Sequence, residues 1–398
     1  MTFGGVEAAL EVAAVFLRLG ATAFGGPIAH ISAMDDQCVR VRQWLTREEF
    51  ADLLSVANLM PGPSSTELAM LLGARRAGAL GLLVAGVSFS LPATLLVWTF
   101  AWWYGRTGSR PEVSAMLTGM QPVVVAVVAH ALWRLGRQVL CTPTSIAVAA
   151  AGLVAIVLGA HELVVLGLAA TAGAVLRASG DTRQREDGDE SLANDSPAAN
   201  NDGGKHSTIS TLAMFPIVAG SAVSMSGIFA AFLKIGCLVF GSGYVLLAFL
   251  RTELVERRGW LTLPQLFDAI AIGQVTPGPV FSTATFIGYQ LAGNRGALSA
   301  TFGMFLPAFV FAVVSGIVVA RVRRSPRAAA ALDGVNAASL ALMASAVLLL
   351  GRNILTSASN LAIAALAFAL LRFTRISSGW VLLDGALPGF LRLPTVAQ

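Results

Sequence analysis

Apolar stretches of bilayer length recur along this chain. They fall near 50–73, 78–104, 113–133 and 144–176, and again near 211–250, 265–293, 296–320, 328–350 and 358–373. A helix needs about 20 apolar residues to cross a hydrocarbon core. The chain is 56% hydrophobic and 12% charged, against about 25% charged in an ordinary soluble domain. A soluble fold could not hide this much apolar surface, so lipid is the expected solvent for much of it. The pattern predicts an all-α polytopic membrane protein with about 10–12 transmembrane segments. Several stretches exceed one span or are broken by Gly and Pro, and 144–176 is expected to form two short helices about His161-Glu162.

The two halves repeat one another. Phe16-Leu-Arg-Leu-Gly20 returns as Phe232-Leu-Lys-Ile-Gly236, an offset of 216 that also carries Phe24-Gly25 onto Phe240-Gly241. Trp44-Leu-Thr46 returns as Trp260-Leu-Thr262, Asp52 as Asp268, and Pro61-Gly-Pro63 as Pro277-Gly-Pro279. One residue is then lost and an offset of 215 places Gly73 on Gly288, Pro92 on Pro307, Gly119 on Gly334 and Gly136-Arg137 on Gly351-Arg352. A register held over such a length marks an internal duplication, a common build for secondary transporters. The predicted organisation is a first membrane repeat over 1–177, a polar acidic flexible linker over 178–208, a second membrane repeat over 209–376 and a C-terminal segment over 377–398. The linker reading rests on composition: polar, poor in apolar residues and rich in Asp and Glu.

Charge adds topology without settling it. Arg40, Arg42, Arg47, Arg106 and Arg110 follow the first and third segments of one half. Arg251, Arg257, Arg258, Arg321, Arg323, Arg324 and Arg327 do so in the other. The positive-inside rule would then give both halves one orientation, whereas five spans per half would force an inverted repeat; both stay open. The net charge of +5 suits loops near anionic lipid better than nucleic acid, because no face clusters Lys and Arg with exposed aromatics. The N-terminus lacks a basic leader region, and its first apolar stretch carries Glu7, Glu11 and Arg18, so it reads as a structural element rather than a cleavable signal. Cys38, Cys141 and Cys237 and the four histidines share no ligand spacing, so no metal site or cofactor is expected. Walker, GxSxG, HExxH and dinucleotide signatures do not stand out, which argues against an enzyme and against ATP hydrolysis by this chain.

Three features could carry chemistry. Arg18 and Lys234 occupy equivalent places inside the first apolar segment of each half. A cation in a span costs roughly 2.5–3.5 kcal/mol on insertion scales and marks a functional site unless it snorkels to the interface. Gly-rich turns follow them, Gly25-Gly26-Pro27 and Gly241-Ser242-Gly243. Such turns break helices, and a half-helix N-terminus attracts anions through its unpaired N–H groups; the alternative is close packing through small residues. The third feature is Pro61-Gly62-Pro63 with Pro277-Gly278-Pro279, flanked by Asn58 and Thr66 in one copy and by Gln274, Thr276, Ser282 and Thr283 in the other. Neutral donors beside a helix break suit a tetrahedral oxyanion. The plain alternative is a kink whose hydroxyls satisfy freed backbone groups. Glu67, with Thr283 opposite it in the second copy, is a proton-carrying candidate that could instead pair with Arg75 or Arg76. Asp52 and Asp268 read as ordinary residues at helix starts.

FGGPIAHI, WLTREEFADLL and PGPSSTELAMLLG in the first half, with FGSGYVLLAFL, WLTLPQLFDAIAIGQVTPGPV and FIGYQLAGNRGA in the second, resemble the chromate transporter family in its two-domain long form. The resemblance implies a multi-pass protein of the bacterial inner membrane that exports chromate and confers chromate resistance. It implies coupling to the proton-motive force, and roles for the FGG-type and PGP motifs. Ser242 departs from the pattern where the first copy has Gly26. The expected partners are chromate or a sulfate-like oxyanion and membrane lipid, with no nucleic acid; a homodimer stays open. A sulfate or other oxyanion carrier is the rival within transport, and a membrane-embedded reductase or a channel are rivals outside it. A dianion leaving a negative-inside cell gains about 4.6 kcal/mol per 100 mV, so outward movement runs downhill; proton antiport would add to it and outward proton symport would oppose it.

Overall fold

The computed structural model of the chain describes residues 3–108, 110–189, 223–240, 243, 245–323, 325–374 and 376–391. Among them it forms helices and no strand beyond one isolated bridge. The first repeat comprises α1 (Phe3–Thr22), α2 (Pro27–Met34), α3 (Arg47–Leu59), α4 (Ser64–Thr107), α5 (Pro111–Val139), α6 (Pro143–Val157) and α7 (Glu162–Asp189). The second comprises α8 (Met225–Leu238), α9 (Leu246–Leu250), α10 (Leu263–Val275), α11 (Thr283–Arg323), α12 (Pro326–Ile354), α13 (Ala358–Phe373) and α14 (Ser378–Leu391). Each helix of one repeat has its counterpart in the other, so the duplication read from the sequence is a duplication of structure.

The correspondence extends to the smallest devices. α2 and α9 each run into a seven-residue π-helical turn, Asp35–Val41 and Arg251–Arg257. α3 and α10 each start with a threonine capping box, Thr46 with Glu49 and Thr262 with Gln265, which satisfies the first-turn N–H groups of both helices. α4 and α11 bend sharply where Ala77-Gly78 and Ala292-Gly293 leave helical geometry, with φ of 61° and 60° at the two glycines. Only glycine reaches that left-handed region without strain. Across the bend Gly73 lies against Gly81, and Gly288 against Gly296, so closely that a Cβ would strike the facing carbonyl.

Among the described residues, four helical segments are long and apolar enough to cross a bilayer: Ser64–Thr107, Pro111–Val139, Val280–Ser315 and Ala328–Ile354. Their outward faces repeat as well. Leu83, Val87, Leu91 and Leu95 form an exposed stripe on α4, and Leu298, Phe302, Leu306 and Val310 form the equivalent stripe on α11. A four-residue spacing keeps such positions on one face of a helix, so each long helix carries one continuous exposed apolar face.

The repeats interlace rather than sit side by side. α5 packs on α13 and α14, while α12 packs on α6 and α7. α4 and α11 cross, and α1 and α8 pack on them. Glycines permit the approach: a Cβ on Gly20 would collide with the Phe89 carbonyl, and one on Gly236 would sit 2.6 Å from the Met304 oxygen.

Several sequence expectations change. The stretches near 50–73 and 265–293 are interrupted at the Pro-Gly-Pro motifs, so each motif joins two separate helices instead of kinking one. Pro cannot donate the helix hydrogen bond, and its ring excludes the preceding turn. α7 continues to Asp189, into the stretch read as linker from 178, and 190–222 lie outside the described residues. The segment set apart from 377 holds α14, which packs on α5 and α10 as an integral helix. Asp52 and Asp268 stand well inside α3 and α10, not at their starts. Asp268 accepts a hydrogen bond from the Tyr104 hydroxyl of the first repeat at 2.7 Å.

Candidate functional site

α1 ends at Thr22 because Phe24-Gly25-Gly26-Pro27 cannot continue it. Gly25 and Gly26 adopt φ of 110° and 78°, and Pro27 opens α2. α8 breaks at the same place, after Leu238. The expectation of broken helices therefore holds in both copies. Gly243 is buried against the Phe281 ring; Gly241 and Ser242 lie outside the described residues.

Each Pro-Gly-Pro turn inserts into the break of the other repeat. The Gly62 N–H donates to the Val239 carbonyl at 2.7 Å, and the Gly278 N–H donates to the Ala23 carbonyl at 3.1 Å. Pro61 forms an antiparallel bridge with Phe240. Backbone N–H and C=O groups freed by the breaks thus find partners across the repeats, as buried polar backbone must. The glycines make the fit. At Gly62, with φ of 131°, a Cβ would lie 2.6 Å from Glu67 Oε1 and 3.4 Å from the Ala308 Cβ. At Gly278, with φ of 89°, it would lie 2.9 Å from the Ala93 Cβ and 3.0 Å from the Gly20 oxygen. Pro63 precedes α4, and Pro279 precedes the short 3-10 turn Val280–Ser282 that leads into α11. α4 contacts that turn directly.

The crossing holds polar atoms without partners. Thr66 Oγ1, both carboxyl oxygens of Glu67, Gln274 Nε2 and Ser282 Oγ are fully enclosed and make no hydrogen bond. Thr66 and Ser282 are repeat equivalents, each just past its Pro-Gly-Pro turn. A buried hydroxyl or amide left unpaired costs about 1–3 kcal/mol, and here the cost falls on a symmetric pair of hydroxyls beside helix starts. Thr276 differs: its hydroxyl is committed to the Ile272 carbonyl at 2.7 Å. Asn58 stays exposed, whereas its counterpart Gln274 is buried.

Two further residues complete the wall. His30 is buried, with Nε2 3.2 Å from the Ala23 oxygen and Nδ1 3.3 Å from Ser65 Oγ. A carbonyl only accepts, so Nε2 carries the proton and Nδ1 accepts from Ser65. His30 is a satisfied structural histidine that ties α2 to the start of α4. Glu67 has neither proposed cation beside it, because Arg75 bonds Glu49 and Arg76 bonds Glu11 at 2.8 Å.

The two cations are not equivalent. Lys234 Nζ lies 2.6 Å from Glu253, which also accepts from Arg257 at 3.4 Å and Arg258 at 2.8 Å. Arg257 bonds Glu162 of the first repeat at 2.8 Å. Glu253 stands on the charged π-helical turn, outside the long apolar helices. Burial pushes its carboxyl up, but the bonds to Lys234 and Arg258 outweigh this and hold it below the usual carboxylate range. Arg18 is exposed on α1, and none of the ion pairs among the described residues includes it. A separate groove of about 120 Å³ beside α10, lined by Phe100, Trp103, Met116 and Val275 among others, is apolar and offers an oxyanion nothing.

A duplicated, interlaced, multi-pass helical protein with broken helices meeting at a buried polar crossing belongs to the class of membrane transporters. The comparison with known proteins narrows this: the chromate transporter family model matches residues 10–174 and 226–390, and the chain belongs to that family, one of transporters and not of enzymes. The second match runs through α14. A chromate transport protein of Cupriavidus metallidurans is 32% identical, over 95% of this chain and 92% of its own. One of Pseudomonas aeruginosa is 30% identical over 96% and 92%, and a probable one of Synechococcus elongatus is 30% identical over 85% and 83%. No solved structure matches.

Proposed function

We propose that this chain carries chromate outward across the bacterial inner membrane, and so confers chromate resistance. The observation that carries the reading is the reciprocal insertion of the two Pro-Gly-Pro turns, which leaves Thr66, Ser282 and Gln274 as unpaired donors at one buried crossing. A tetrahedral dianion accepts several hydrogen bonds at once, and neutral donors held by rigid backbone suit it without trapping it. Gly25, Gly26 and Pro27 form one flanking break, and Gly243 stands in the other. Arg18 supplies the positive charge that draws the anion in.

The driving force in this reading is the membrane potential, worth about 4.6 kcal/mol per 100 mV for a departing dianion. Glu67, an acid directly under the Gly62 turn with both oxygens unbonded, is the proton-carrying group that couples flux to a pH gradient. The test is chromate flux in proteoliposomes with potential and pH gradient set independently. E67Q should remove the dependence on the pH gradient and keep the dependence on potential. An unchanged pH response in E67Q would remove Glu67 from the mechanism. Sulfate competing with higher affinity than chromate would reassign the substrate to sulfate.

A further inference from the structure

The pseudo-symmetry that relates the repeats makes Gln37 the counterpart of Glu253 and Val41 that of Arg257, and Ser378, which opens α14 as Glu162 opens α7, that of Glu162. Around Lys234 these positions build a closed ion-pair network, with Glu253 5% exposed at its centre. Around Arg18 the counterparts of Glu253, Arg257 and Glu162 carry no charge, while Arg42, the counterpart of Arg258, bonds Glu11 instead. The first repeat does hold an acid on α1, Glu11, but it is engaged by Arg42 at 3.1 Å and Arg76 at 2.8 Å. Its counterpart in the second repeat is Gly227. The carboxylate has moved from one place in the frame to another, and the move neutralises Lys234 while leaving Arg18 without an acidic partner among the described residues.

We infer that Glu253 is a tethered anion, occupying beside Lys234 the place that a substrate oxyanion takes beside Arg18, so that each chain offers one receptive cation and not two. The carboxylate presents two oxygens to three cationic side chains, as an oxyanion would. One half-site is thus permanently filled, and a second dianion is denied a place beside Lys234. The inference rests on the reading of Arg18 as the substrate's cation.

E253Q places in the second repeat the residue that the first has naturally, so rescue is the test. In full-length protein reconstituted in liposomes, R18Q should lower chromate flux about tenfold or more, the size expected for one charge-assisted bond. R18Q/E253Q should recover most of that flux, because Lys234 is released to take the anion. K234Q alone should leave the dissociation constant for radiolabelled chromate within about twofold of the original, since one charge-assisted bond to substrate would shift it about tenfold. Full flux in R18Q would sink the charge reading itself, and this inference with it. Flux lost in R18Q and still absent from a membrane-inserted R18Q/E253Q, with E253Q alone active, would overturn the inference and leave Arg18 in place. If the double variant does not fold, the binding arm decides: K234Q weakening chromate as much as R18Q would overturn it.

Discussion

Gly62 of the first repeat donates its N–H to Val239 of the second at 2.7 Å, and the duplication returns the favour at Gly278 and Ala23, at 3.1 Å. Each turn is completed only by the other repeat. Neither half can therefore form its polar crossing alone, and any rocking of one repeat against the other acts on the turns directly. This is the physical basis for reading the crossing as the transport site.

Substitution at the two turns should be unequal. A Cβ at Gly62 meets the far end of the Glu67 side chain, which can swing away, whereas one at Gly278 meets the Ala93 Cβ and the Gly20 carbonyl, which cannot. Both positions also carry positive φ, a strain of about 1–3 kcal/mol for any other residue. G278A should lower thermal stability in detergent more than G62A does. G62A should retain its fold but alter the pH response of flux through the displaced Glu67.

The hydroxyls at Thr66 and Ser282 give a prediction that a structural role would reverse. Neither has a partner, so removing one should leave stability unchanged or raise it. T66V and S282A should nonetheless each weaken chromate binding about tenfold, the size of a lost hydrogen bond to a charged ligand. Melting temperature and equilibrium binding, measured on the same preparations, separate the two effects.

The bond between Tyr104 and Asp268 joins α4 to α10 at 2.7 Å. Y104F should cost about 1–3 kcal/mol by leaving a half-buried carboxylate short of a donor. Y104F/D268N should be less destabilised than the sum of the single changes. A double-mutant cycle by thermal unfolding reads the coupling directly.

Much of this architecture was legible in the sequence because glycine and proline act on their own backbone. Gly25-Gly26-Pro27 and the two Pro-Gly-Pro runs had to break helices wherever the chain went, and they do. What the breaks plug into was not legible. The Gly62–Val239 and Gly278–Ala23 bonds join positions far apart along the chain, and only the packed fold selects them. The same holds for charge. Arg18 and Lys234 look alike in a sequence register, but Glu253 reaches Lys234 only because the π-helical turn folds back on α8. The acidic run after 178 looked like the end of helical structure, yet α7 continues to Asp189. Polarity alone does not stop a helix, and the next proline is Pro197.

Outward chromate transport through the paired turns can be read in proteoliposomes as flux under a clamped potential. Saturable chromate movement toward the positive side should scale with potential and, at chromate well below saturation, fall about a hundredfold in T66V/S282A, a tenfold loss for each hydroxyl, with the amount of inserted protein unchanged. Undiminished flux in that double variant, or flux that neither saturates nor responds to potential, would contradict it.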